Sequence, residues 1–169
     1  MLHPDRVSAE AKKKEKENIK FRNYLKNHAE EEELDRQFLK LHNDLFKDYD
    51  CSKCRNCCKM YKGSIPSEDI EQDAEYLNIS REQFIEFFLE KSEFGKYQTK
   101  HQPCDFLQED GSCKLGECRP ESCKNYPYTN QSERLWSLYS VLNAVEVCPV
   151  AFEIWERLKE EYGFRGNKR

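Results

Sequence analysis

The chain has 169 residues, of which 36% are charged and only 37% hydrophobic, and its mean hydropathy is -1.00. A net charge of -4 gives no general attraction to nucleic acid or anionic lipid, and no apolar run approaches the ~20 residues that span a bilayer. Residues 1–17 contain basic residues but no apolar stretch, so they do not resemble a secretory signal, and we expect a cytoplasmic protein. A core this lean needs a further source of stability.

Residues 8–48 predict a long polar helix, because the segment lacks Gly and Pro and is rich in Lys, Glu and Leu. Its second half places apolar residues at alternating steps of four and three, which forms one narrow stripe. Packing of the stripe within the chain is the simpler interpretation, and binding to a partner protein or to a second copy is the alternative. The stripe consists of Leu34, Phe38, Leu41, Leu45 and Tyr49.

Two shorter helices are predicted after the first group of cysteines. One follows Ser67, a suitable N-cap, and buries Ile70 and Ala74. The next covers residues 80–91 and opens with Ser80 and Gln83 at the spacing of a capping box.

Turn signals and apolar runs define the second half of the chain. Asp110-Gly111 predicts a hairpin over residues 106–115. Pro120 is expected to start one helical turn that carries Cys123. Residues 134–147 are compatible with helix or strand, and we interpret them as a helix. A final helix starts at Pro149 and ends at Gly163.

Nine cysteines are the most unusual feature of the composition. In a reducing compartment, so many thiols predict metal binding or redox catalysis before they predict disulfides, and an odd number cannot pair completely. The cysteines are Cys51, Cys54, Cys57, Cys58, Cys104, Cys113, Cys118, Cys123 and Cys148.

The first four cysteines have metal-ligand spacing. Cys51, Cys54 and Cys57 form a C-x2-C-x2-C series, which suits tetrahedral zinc and also iron–sulfur clusters. On a continuous helix, Cys51, Cys54 and Cys58 would share one face instead. Because adjacent side chains diverge, Cys57 and Cys58 are not expected to bind the same ion.

The remaining ligands must come from distant parts of the sequence. Such a centre would tie separate segments together, and structural zinc contributes roughly 10 kcal/mol or more to folding. This contribution would explain how so polar a chain stays folded. The distant candidates are Cys104, Cys113, Cys123 and Cys148.

Basic residues surround the first cysteines, and no Asp or Glu occurs from residue 51 to residue 67. Four thiolates on a divalent ion leave a net charge of about -2, which nearby cations would compensate. Chance clustering on a solvated loop is the alternative. The basic residues are Lys53, Arg55, Lys59 and Lys62.

His101 precedes Cys104 by three residues and is a candidate ligand or hydrogen-bond donor, although an ordinary surface histidine is the simpler interpretation. No Ser/His/Asp arrangement, glycine-rich phosphate loop or H-E-x-x-H motif is present, so hydrolytic or nucleotide chemistry is not indicated.

An ordered series of motifs extends from residue 51 to about residue 150. It comprises Cys51-x2-Cys54-x2-Cys57-Cys58, Pro103-Cys104-x-Phe106-Leu107, Asp110-Gly111-x-Cys113, Arg119-Pro120-x2-Cys123 with Tyr126-Pro127, and Cys148. The series resembles the CxxCxxCC-type (YkgJ-like) cysteine-cluster family, whose members are described as zinc- or iron-chelating domains.

The resemblance implies a ligand set and marks one cysteine as additional. Cys118 stands where the family usually has an aliphatic residue, so it is an extra thiol. Flagellin lysine N-methylases carry a similar cluster, but this chain has no recognisable S-adenosylmethionine motif, so that activity is not transferred. The implied metal-binding set is Cys51, Cys54, Cys57, Cys58, Cys104, Cys113, Cys123 and Cys148.

Together these patterns predict a mainly α protein: a small helical domain with a short β-hairpin, organised around a cysteine metal cluster, plus a long N-terminal helix. The predicted divisions are a polar extension at 1–50, a metal-binding domain at 51–163 and a flexible tail at 164–169. We expect the cluster to bind Zn²⁺ or iron, the latter also as an iron–sulfur cluster, in a structural or metal-carrying role without autonomous catalysis. The alternatives are a redox or protein-modifying enzyme or accessory subunit with an iron–sulfur cluster, and a zinc-ribbon-like nucleic-acid binder.

Overall fold

The computed structural model describes residues 1–165. It confirms a mainly α fold with a short antiparallel hairpin. The α-helices are α1 (Pro4–Lys13), α2 (Glu15–His28), α3 (Glu31–Phe46), α4 (Cys51–Cys54), α5 (Asn56–Met60), α6 (Ile70–Tyr76), α7 (Arg81–Phe88), α8 (Glu121–Lys124), α9 (Leu138–Val145) and α10 (Pro149–Glu161). The strands are β1 (Leu89–Lys91) and β2 (Tyr97–Thr99), and a 3-10 turn spans Gly116–Cys118.

The chain forms two compact units, one of residues 1–50 with 127–165 and one of residues 51–126. The second unit begins at the predicted boundary, whereas residues 127–163 pack with the N-terminal segment. A compact unit is not yet a domain that folds alone, so the domain division stays a prediction. No single helix within residues 1–165 is long and apolar enough to cross a membrane.

The N-terminal segment is three helices and not the single helix predicted. The chain leaves helical geometry at Lys14 and again at Ala29, although neither Gly nor Pro lies there. Tertiary packing overrides helix propensity at these points, because the breaks let two separate apolar faces reach α10. Phe21 packs edge-on against Trp155 with ring centroids 5.0 Å apart, and α3 also contacts α10.

The apolar stripe of α3 packs within the chain, which was the simpler of the two interpretations. Leu34 and Phe38 are fully buried and Leu41 nearly so. The predicted tail starts at Phe164, whose ring lies 5.0 Å from that of Phe21. Residues 166–169 of that tail lie outside the described residues.

The two-stranded hairpin lies elsewhere than predicted. β1 pairs with β2, with Leu89 opposite Thr99, so the helix predicted over residues 80–91 ends at Phe88. Pairing buries both Leu89 and Thr99, and a left-handed Gly95 closes the turn. The predicted hairpin at 106–115 is reduced to one antiparallel bridge, Leu107 to Cys113.

Three other local predictions are confirmed. Ser80 and Gln83 form the capping box at the start of α7, each side chain bonding the other residue's backbone N–H. The final helix begins at Pro149, and Gly163 adopts a left-handed conformation just after it. The ambiguous segment 134–147 contains a helix, α9, although its first residues form turns.

Asp73 is an unexpected charge in the core-facing side of α6. The side chain is only 1% exposed, and neither carboxylate oxygen has a hydrogen-bond partner within the described residues. Burial, reinforced by Asp69, raises the pKa of Asp73 from 3.8 to about 6. The helix itself begins at Ile70, so the N-cap predicted at Ser67 is wrong; residues 67–69 form a turn closed by Asp69 N–H on the Pro66 carbonyl.

The substitution Asp73→Asn is expected to stabilise the protein at pH 7.5 by about 1–3 kcal/mol, because it keeps the shape and removes the buried charge. A raised folded-state pKa means that the folded state binds more protons. The penalty of Asp73 is therefore absent below pH 4 and complete above pH 6, so the difference between variant and wild type should vanish near pH 4. Urea unfolding of the variant and the wild type at pH 7.5 and pH 4 measures this difference. Glu75→Gln, on the exposed face of α6, is the control. Equal effects of the two substitutions would contradict the assignment.

A buried ion cluster joins α2 to α10. Lys159 is 4% exposed, and its Nζ donates to Glu17 at 2.6 Å, to Asn18 Oδ1 at 2.7 Å and to Glu156 at 2.7 Å. Lys14 forms a second ion pair with Glu156. Because these ion pairs and hydrogen bonds offset the cost of burying the Lys159 charge, the cluster favours one arrangement of the two helices.

Lys159→Met should lower the free energy of unfolding by about 1–3 kcal/mol, because it keeps the alkyl stem but removes the cation from Glu17 and Asn18 and leaves Glu156 paired with Lys14 alone. Lys13→Met removes an exposed ion pair with Glu10 and should cost less than about 1 kcal/mol. Denaturant unfolding of both variants compares them directly. A loss below 1 kcal/mol at position 159 would show that the cluster does not hold the helices together.

Candidate metal centre

The first cysteine segment is two short helices separated by one residue. Arg55 adopts a left-handed conformation, with φ of 50°, between α4 and α5. This break rules out the arrangement in which Cys51, Cys54 and Cys58 share a face of one continuous helix. Instead, Cys51 and Cys54 lie on α4 while Cys57 and Cys58 lie on α5.

The turn at Asp110-Gly111 lies directly against this segment. Gly111 has φ of +82°, and a Cβ atom at this position would be only 2.7 Å from the Ser52 carbonyl oxygen. The Asp110 carboxylate accepts hydrogen bonds from the backbone N–H and the hydroxyl of Ser112, which fixes the turn. The turn thereby brings the Cys113 segment beside α4.

Cys104 is fixed beside the first segment through the backbone. Its N–H donates to the Cys58 carbonyl oxygen at 2.8 Å. Phe106, two residues later, is 2% exposed and stacks on Phe84 of α7, so the Cys104 segment is anchored in the core of this unit.

Thiols from four separate parts of the sequence are close enough to affect one another's ionisation. Burial, followed by the nearby Cys58 and Cys113 thiols, raises the pKa of Cys104. Burial likewise raises the pKa of Cys123, with smaller contributions from Cys58 and Cys104. Within residues 1–165, however, no three His, Cys, Asp or Glu side chains stand together closely enough to hold an ion as they are placed.

Cys58 is the thiol that favours its charged form. A hydrogen bond from Cys57 and the nearby cations Arg119 and Arg55 together lower its pKa to about 6, against the effect of burial. Arg119 is held in place by a 2.7 Å hydrogen bond from Nη2 to the Cys123 carbonyl.

The source of compensating charge was only partly predicted. Arg55 lies beside the thiols as expected, whereas Lys62 pairs with Glu90 at 2.6 Å and is neutralised there. Sequence reasoning did not identify Arg119 as a cation of the cluster, although its position four residues before Cys123 in the same motif was a signal.

A family model described as "CxxCxxCC: Putative zinc- or iron-chelating domain" matches residues 50–141, more than half of the chain. The chain belongs to the CxxCxxCC family. Neither the curated proteins nor the solved structures contain a significant match. Membership in the CxxCxxCC family supports a metal-binding role, with zinc or iron as the metal.

The described CxxCxxCC residues are a chemically suitable donor set. None of the nine cysteines forms a disulfide. Two arginines offset the negative charge that four thiolates would bring to a divalent ion. The donor type and the local charge therefore fit a thiolate-bound metal.

The predicted ligand Cys148, the extra thiol Cys118 and the candidate His101 have three different surroundings. Cys148 is 7% exposed, lies in the other compact unit at the start of α10, and is outside the residues matched by the CxxCxxCC model. Cys118 packs against the core of residues 51–126, and Gln72 Nε2 lies 3.6 Å from its sulfur. His101 interacts with Asp105, with 2.5 Å between Nδ1 and Oδ1.

Proposed function

We propose that the protein is a metal-binding protein in which Cys58, Cys104, Cys113 and Cys123 hold zinc or iron as thiolate ligands. The proposal is carried by the family match together with the contacts that join these segments: Cys104 N–H on the Cys58 carbonyl, and the Gly111 turn before Cys113 against Ser52. Cys123 lies near enough to Cys58 and Cys104 for both to raise its pKa. The metal would stabilise this unit, whose core is small, and so serve a structural or metal-carrying role.

The other predicted ligands extend this centre. Cys51 and Cys54 on α4 and Cys57 on α5 would serve a second ion or an iron–sulfur cluster. Cys148 remains a predicted ligand of the set.

Anaerobic purification, elemental analysis and an absorption spectrum test the proposal. Zinc gives a colourless protein, whereas an iron–sulfur cluster gives a brown protein with visible absorbance. Removing the metal with a chelator should increase hydrogen exchange in residues 51–126, because binding energy is part of folding energy. Folded protein that contains no metal, with exchange unchanged by the chelator, would contradict the proposal.

A redox or protein-modifying role is the second candidate, and the lowered pKa of Cys58 is the observation that favours it. A thiol with a pKa of about 6 is mostly thiolate at pH 7 and therefore nucleophilic. Alkylation of the metal-loaded protein by iodoacetamide, followed by mass spectrometry, would find such a thiol. Absence of a reactive thiol together with absence of a reversible redox couple would eliminate this role.

A further inference from the structure

A cavity of about 170 Å³ lies in the compact unit of residues 1–50 and 127–165. Helices α2 and α9 run antiparallel along it, as their side-chain pairs show. Lys26 lies over the ring of Trp136, and Arg22 lies 3.7 Å from the ring centre of Tyr139. Past these contacts the two helices leave an open groove. Its lining includes Glu15, Asn18, Ile19, Tyr139, Leu142 and Glu146.

Two carboxylates face this groove from opposite walls. Glu15 and Glu146 are both exposed, and neither forms an ion pair or hydrogen bond within the described part of the chain. Three cations of the same unit are engaged elsewhere: Lys14 and Lys159 with Glu156, and Arg22 on Tyr139. Like charges in one groove repel each other, so the groove favours a cation between them.

The side-chain amide of Asn18 is a further polar group in the lining of the groove. The residue is 4% exposed, and its Oδ1 accepts a hydrogen bond from Lys159 at 2.7 Å. That bond fixes the orientation of the amide and leaves the Nδ2 hydrogens without a partner among residues 1–165. This N–H group lines the groove and is not among the enclosed unpaired atoms, so it can donate to water or to a hydrogen-bond acceptor on an occupant.

The walls between these polar groups are apolar. Ile19 is 43% exposed, Tyr139 is 64% exposed, and Leu142 is partly buried. A cavity of 150 Å³ holds a molecule the size of benzene, so 170 Å³ accommodates one side chain with a few methylene groups. An occupant therefore needs an alkyl stem, a terminal cation and an acceptor.

We propose that this groove binds a lysine or arginine residue of a partner protein. The cationic end of the side chain pairs with Glu15 and Glu146, its alkyl stem packs on Ile19 and Leu142, and a carbonyl of the bound segment accepts from Asn18 Nδ2. Free polyamines provide the cation and the stem but no carbonyl, so they satisfy only part of the site. The site is independent of the metal centre.

Titration of the ¹⁵N-labelled full-length protein, with its metal as purified, tests this proposal by NMR. The probes are N-acetyl-lysine methylamide, the uncharged N-acetyl-norleucine methylamide, and cadaverine, which has the cation without a carbonyl. The lysine probe should shift the amide signals of Asn18, Tyr139 and Asn143 in a saturable way. The norleucine probe should bind at least about tenfold more weakly, since charge-assisted hydrogen bonds are lost.

The double variant Glu15→Gln/Glu146→Gln tests the two carboxylates. Both side chains are exposed, and the change removes their charge but preserves their shape. It should weaken binding of the lysine probe by about tenfold or more, whereas Glu160→Gln on α10 should leave it unchanged. Equal binding of the lysine and norleucine probes, absence of saturable shifts, or unchanged binding to the double variant would overturn the proposal. Equal binding of cadaverine and the lysine probe would overturn the assignment of a peptide ligand.

Discussion

Cys104→Ser is expected to lower metal affinity at least roughly hundredfold, because loss of a direct ligand should exceed the 10–100-fold cost of changing residues around a metal site. The serine hydroxyl keeps the size of the side chain but is not a thiolate donor. Backbone geometry should survive, since the 2.8 Å bond to the Cys58 carbonyl uses the main-chain N–H. Competition with a chromogenic chelator measures the affinity.

Cys118→Ser is the matched control. Cys118 lies in the same compact unit, but it is not one of the proposed ligands, and its sulfur lies 3.6 Å from Gln72 Nε2. We expect its metal affinity to match that of the wild type. Equal losses in the two variants would mean that the observed effect reflects general destabilisation and not ligation.

Gly111→Ala is expected to destabilise the protein by about 3 kcal/mol and to weaken metal binding. A left-handed conformation costs an alanine about 1–2 kcal/mol. In addition, the new Cβ would stand 2.7 Å from the Ser52 carbonyl oxygen, so either the turn or α4 must move. Because this turn brings Cys113 beside the first cysteine segment, the shift separates candidate ligands. Denaturant unfolding and chelator competition provide the two readouts.

Gly95→Ala separates the cost of the left-handed conformation from the effect of the contact with Ser52. Gly95 is also left-handed, with φ of +73°, but nothing lies within 4 Å of a Cβ at that position. It should therefore lose only about 1–2 kcal/mol of stability and keep its metal affinity. If both substitutions reduced metal affinity equally, the contact between Gly111 and Ser52 would not be what positions the cysteine segments.

Local sequence signals predicted the features that depend on near neighbours. The capping box of Ser80 and Gln83 and the helix from Pro149 to Gly163 need only residues within a few positions of one another. The motif spacing also indicated metal binding, which the family match supports.

Features that depend on distant residues were not predictable. The breaks at Lys14 and Ala29 carry no Gly or Pro, and follow from packing on α10. Asp73 lies on the same helix as the correctly predicted Ile70 and Ala74, yet its polar character gave no indication of burial. The charge of Arg119 joins the cluster only because Cys58 and Cys123 lie close in space. Which cysteines share an ion stays a prediction for the same reason.

The buried lysine has a consequence for the order of synthesis. Lys159 and its partner Asn18 are 141 positions apart, so the N-terminal helices cannot complete their core until the last helix has left the ribosome. The whole cysteine segment is translated before that moment. During synthesis, Phe21 and Leu25 therefore stay exposed until α10 is available to cover them. Residues 51–126 can bind an ion before that point.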